Sequence, residues 1–208
     1  MRRHLAINPR GILWEILDRV RGRDQMLVRA GDDLPLIVIS YPRGQASYAE
    51  ALQTAVRHTY RQLTPETRQR YAHILPRLPS LVVVILRPRN ACSCLGHYHP
   101  PGTESRIARR LQSDTGVAVG EVDLAVEAIR RWEPLPLASL AAQPPPSLLS
   151  ELKLFRFHAA LLAVFFHELE HLAFPDLNEH QVRQRSNDFY SASLREFFAQ
   201  EFGGSYGF

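Results

Sequence analysis

The chain has 208 residues, enough for one domain over 1–208 with a well-buried core. Hydrophobic residues at 45% and charged residues at 22% are ordinary for a soluble globular protein, and the longest apolar run, "HAALLAVFF", is far too short to cross a bilayer. A net charge of +4 comes from 25 basic and 21 acidic side chains, but the arginines are scattered rather than gathered in a stripe, which argues against nucleic-acid binding.

The opening "MRRHLAINPRGILWEIL" lacks the unbroken apolar stretch of a signal peptide, so a cytoplasmic protein without a membrane partner is expected. Ile12, Leu13, Ile16, Leu17 and Val20 recur at helical spacing and predict a short amphipathic helix. "DDLPLIVISYPRG" reads as a strand between turn formers. Ser47 with Glu50 three residues on is a capping-box pattern and opens a helix. Thr64-Pro65 restarts helix, because proline suits the first helical position. "SLVVVILRP" is apolar on both faces and predicts a strand inside the sheet.

A strand-and-loop region over 91–140 follows this N-terminal α/β part, 1–90. "NACSCLGHYHPPG" predicts a short strand ending in a Pro-Gly turn, and "RIARRLQSD" fits strand or helix. "VGEVDLAVEAIRRW" reads as an edge strand, or as a strand followed by a helical turn. The Pro-rich "EPLPLASLAAQPPPS" is a surface connection. Over 147–202 the chain is helical: a long helix ends at Pro175, and Asp176 is placed to cap a second, which stops at Gly203-Gly204. The fold class is therefore α+β, a small mixed sheet with upstream helices and a C-terminal helix pair.

Cys92 and Cys94 are the only cysteines, too few and too close for a secreted disulfide framework, so reduced thiols are expected. With His97 and His99 they form a tight cluster whose spacing matches a zinc knuckle poorly.

The sharpest feature is His167-Glu168-Leu169-Glu170-His171, set in the most apolar segment of the chain. Residues four apart on a helix share a face, so His167 and His171 can aim both imidazoles at one cation. Leaving two imidazoles and two carboxylates unpartnered among Val164, Phe165, Phe166, Leu169 and Leu172 would cost ~2 kcal/mol or more per group. A metal ion removes that cost, and zinc suits such ligands. Glu168 lies beside the metal rather than on it, where a general base would stand.

In these residues the chain resembles the zincin metallopeptidases, whose active-site helix carries H-E-x-x-H. The resemblance implies Zn2+ held by His167 and His171, with Glu168 activating a water for attack on a peptide carbonyl of a protein or peptide substrate. The metzincin pattern is broken, because Leu177 occupies the position of its third histidine. Two third ligands remain open. Glu179 lies in the middle of the core-facing arc of the next helix and would give the gluzincin set; it also fits a capping box with Asp176. His180, at the margin of that arc, would match the SprT-like arrangement. Arg183 and Asn187 follow at one-turn intervals and can orient Glu179 or Glu170, whereas His158 lies on the opposite helix face. In zincins an edge strand aligns the substrate and a nearby polar group stabilises the oxyanion, a role that would fall to His99 or Tyr98. Two other functions fit the same residues: a catalytically weak zinc scaffold, and a DNA-associated protein with a local protease site.

Overall fold

The computed structural model describes residues 22–29, 34–69, 71–132 and 149–202. The expected N-terminal helix, the Pro-rich connection over 133–148 and the Gly203-Gly204 stop lie outside them. Five strands form one sheet in the order β1-β2-β3-β5-β4: β1 (Arg23–Val28), β2 (Leu36–Pro42), β3 (Leu81–Arg87), β4 (Gly96–Tyr98) and β5 (Val119–Ala125). The three central strands β2, β3 and β5 run parallel, while β1 and β4 are antiparallel edges. A mixed α+β fold is thus observed.

Helix α1 (Ala46–Thr54) runs through a π-helical segment, Ala55–Thr59, into a last turn at Tyr60–Gln62. Short α2 (Pro65–Gln69) follows, then α3 (Arg106–Thr115), α4 (Val126–Arg131), α5 (Leu149–Ala173) and α6 (Glu179–Phe202). The side-chain alternation of the strands divides the core in two. Ile37, Ile39, Val82, Val84, Leu86, Val122 and Leu124 point to the face packed with α1, α5 and α6. Val38, Leu81, Val83 and Ile85 point to the other, where Ala108 of α3 covers them. Central β3 is buried along six of its seven residues, which explains its unbroken β-branched composition.

Several local expectations are corrected. β5 is no edge, lying between β3 and β4 with every residue buried, but the alternative of a strand followed by a helical turn is observed, since it passes directly into α4. Of the two readings left open for "RIARRLQSD", helix is the one observed, because Ser105 Oγ caps it by accepting from the N–H groups of Ile107 and Ala108. The Ser47 capping box does not form; a turn from Pro42 carries the chain into the helix at Gln45, whose carbonyl accepts from Tyr48 N–H. β1 has no counterpart in the sequence reading. Among the described residues no helix is long and apolar enough to cross a membrane.

Helix α5 is the axle of the fold. Its 25 residues span about 37 Å at ~1.5 Å each, and it is buried from Phe157 through Phe166. Gly120 of β5 makes room for its C-terminal end: a Cβ there would stand 2.9 Å from Pro79 Cγ and collide with Leu172. The α5 and α6 helices are then tied together beneath the site. Glu170, fully buried, pairs with Arg185 and stands 3.4 Å from His73 Nε2.

Candidate metal centre

The C-terminal turns of α5 carry His167 and His171 one above the other, with ring centroids 4.9 Å apart. Glu179, the first residue of α6, reaches back between them. Its Oε2 lies 3.0 Å from His171 Nε2 and its Oε1 3.6 Å from His167 Nε2. Ligands at ~2.0–2.2 Å in a tetrahedron stand about 3.4 Å apart, so the three side chains have the spacing of a single-ion ligand set.

Hydrogen bonds outside this trio orient it. Ser186 Oγ donates to the Val182 carbonyl at 2.9 Å. Its lone pairs therefore face His167, whose Nδ1–H donates to it at 2.9 Å. That tautomer leaves Nε2 with a lone pair on the side of Glu179. Arg183 donates to Glu179 Oε1 at 3.1 Å, as its one-turn spacing predicts. Tyr98 of β4 stacks on the His171 ring, centroids 5.3 Å apart and 14° from parallel.

Burial, the largest influence on His167, pushes its pKa down to about 4 and keeps the imidazole neutral. For Glu179 burial would raise the pKa, but His167, His171 and Arg183 together outweigh it and hold the carboxyl below its ordinary value. Glu168 is driven the opposite way: burial, then the nearby Glu179 charge, raises its pKa well above the usual range.

Glu168 is held by the edge strand. The N–H of His99 goes to the Glu121 carbonyl, and the carbonyl of Leu95 takes the N–H of Ala125. The odd-numbered backbone groups of β4 thus face β5, and those of Gly96 and Tyr98 face the open edge. There the Tyr98 N–H hydrogen-bonds the Glu168 carboxylate. Gly96 permits this approach, since a Cβ at that position would lie 2.8 Å from Glu168 Cδ. A cleft of about 470 Å³ opens over Glu168, walled by Leu95, Trp132, Val164 and Asn187.

The structure therefore brings together His167, His171, Glu179, Glu168 and Tyr98. His180 is exposed on α6 and outside the trio. His99 is on the reverse face of β4 from Tyr98, because neighbouring strand residues point to opposite sides, so it does not face the cleft. Asn178 rather than Asp176 caps α6, its Oδ1 accepting from His180 N–H at 2.8 Å. Glu170 belongs to the Arg185 pair and not to the cleft. His158 lines a separate cavity beside Lys153 and Phe157.

Cys92 and Cys94 lie on one turn, with their Cα atoms 5.2 Å apart. Gly96, Ser186 and Arg185 were not assigned these roles from sequence. Only Gly96 carried a signal, as a lone glycine in a strand marks close approach by another group. No protein-family model, curated protein or solved structure matches the chain.

Proposed function

We propose that the chain is a metal-dependent peptidase whose centre is His167, His171 and Glu179, with zinc the ion that two imidazoles and a carboxylate favour. The observation that carries this reading is the return of Glu179 to within 3.0 and 3.6 Å of two imidazole nitrogens whose helix also presents Glu168 to the same cleft. When bound, such an ion polarises a carbonyl and makes a water more acidic. The protein's own groups do the rest. Glu168 accepts the proton of the attacking water and hands it to the departing amine. The Tyr98 N–H fixes that carboxylate, and the outward backbone groups of Gly96 can pair with an extended peptide laid along β4. Arg183 and Ser186 hold Glu179 and His167 in place.

Glu168→Gln tests the assignment, because it removes the base and none of the trio. Divalent-metal content should stay at the wild-type value while hydrolysis of a fluorogenic peptide library falls roughly 10²–10⁴-fold. A Glu168→Gln chain that cleaves as well as wild type excludes the base. Wild-type protein that takes up no more Zn2+ than a His167→Ala, His171→Ala chain excludes the centre.

A further inference from the structure

A second polar cluster lies on the opposite face of the sheet. His99 follows β4, and Glu121 and Asp123 are on β5; alternation points all three side chains away from α5. Glu121 is 0% and Asp123 4% exposed. Each member has one polar atom secured from outside the cluster. His99 Nδ1 lies 3.3 Å from the Thr103 carbonyl, which can only accept, so Nδ1 carries a proton. Glu121 Oε2 accepts from the Ser105 N–H at 3.0 Å and the Ser105 hydroxyl at 2.6 Å. Asp123 Oδ2 accepts from Arg87 at 2.9 Å.

The remaining atoms, His99 Nε2, Glu121 Oε1 and Asp123 Oδ1, are shut off from solvent and have no hydrogen-bond partner. His99 Nε2 stands 3.6 Å from Glu121 Oε1 and 3.4 Å from Asp123 Oδ2. A protonated imidazole would draw a carboxylate to ~2.7–2.9 Å. The observed gaps, measured to Glu121 Oε1 and to the Arg87-bound Oδ2 of Asp123, are instead close to the edge of about 3.4 Å expected of a tetrahedron with ligand distances near 2.1 Å. Arg87 offsets one of two buried carboxylates, and the other is balanced by a protonated His99 or by a bound cation.

We infer that His99, Glu121 and Asp123 form a second divalent-cation site, of the transition-metal class that accepts one imidazole and two carboxylates. The ion pins the three-residue strand β4 to β5 from behind, on the side away from the cleft. The site is independent of the peptidase reading, since it shares no side chain with it.

The test is Zn2+ and Mn2+ titration of the metal-free full chain, with bound ion counted by elemental analysis after equilibrium dialysis. Wild type should hold two ions, the His167→Ala, His171→Ala chain one, and that chain with Asp123→Asn added none. Cobalt in the double-alanine chain should give the intense visible absorption of a tetrahedral site, and His99→Gln should abolish it. A double-alanine chain with native circular dichroism and no bound ion overturns the second site. One ion that persists there and is lost with Asp123→Asn supports it, even if the first centre proves empty in wild type. Should the double-alanine chain fail to fold, His99→Gln alone must lower wild-type stoichiometry by one ion; an unchanged stoichiometry overturns the proposal.

Discussion

Replacing Gly96 by alanine adds one methyl group against Glu168 and changes none of His167, His171 and Glu179. Gly96 is not among the glycines with positive φ, so alanine meets no backbone strain there. The added Cβ would stand 2.6 Å from Glu168 Cγ and 2.8 Å from Cδ. Carbon atoms rest at about 3.5–4.0 Å, so the Glu168 side chain must retreat by roughly 1 Å. It has little room, being 5% exposed and braced by the Tyr98 N–H. Overpacking of this kind costs about 1–3 kcal/mol, readable as a lower urea midpoint at unchanged slope. A base displaced by 1 Å lowers kcat/KM by about 10²-fold. Metal content should remain that of wild type. A Gly96→Ala chain with the wild-type midpoint and wild-type peptide cleavage would refute both the close approach and the role given to Glu168.

Two further outcomes follow from the packing. Glu196 of α6 accepts from the N–H and hydroxyl of Thr64 and from the hydroxyl of Thr67, serving the start of α2; Glu196→Ala should cost about 1–3 kcal/mol in urea unfolding, and no change in midpoint would remove that role. His158, 7% exposed, has its pKa lowered by burial below the ordinary 6.5. The stability it contributes is full above 6.5 and is lost as pH falls through the lowered folded value. His158→Gln should therefore lose less stability than wild type between roughly pH 7.5 and pH 5 in thermal melts, and parallel curves would show that the folded imidazole titrates as freely as the unfolded one.

The C-terminal helix pair was legible because its signals are local. One-turn spacing set His167 over His171, and placing Glu179 on the inward arc needed only the rotation per residue. The sheet was harder to read. β1 buries only Val28 fully, so "RDQMLV" carried little apolar signal although its partner β2 is the next strand in the chain. β5 looked like an edge because Glu121 and Asp123 alternate with apolar neighbours, a pattern that normally means solvent on one side. Here those carboxylates are buried against His99, Ser105 and Arg87. The choice between Tyr98 and His99 likewise needed to know which face of β4 meets α5, which no spacing within "GHYH" reveals. The cap at Asn178 was missed for a smaller reason: the connector between the helices has two residues able to cap, Asp176 and Asn178, and only the backbone path selects one.

That connector, 174–178, also sets an electrostatic boundary. His171 is in the last turn of α5 and Glu179 in the first turn of α6. Aligned peptide dipoles leave about half a negative charge at the end of one helix and half a positive charge at the start of the next. The His171 imidazole thus stands where a cation is welcome, and the Glu179 carboxylate stands where an anion is. Part of this field belongs to the backbone, and no side-chain substitution abolishes it. Lengthening the connector would pull the two helix ends apart and weaken the preference for a cation while His167, His171 and Glu179 all remained in the sequence.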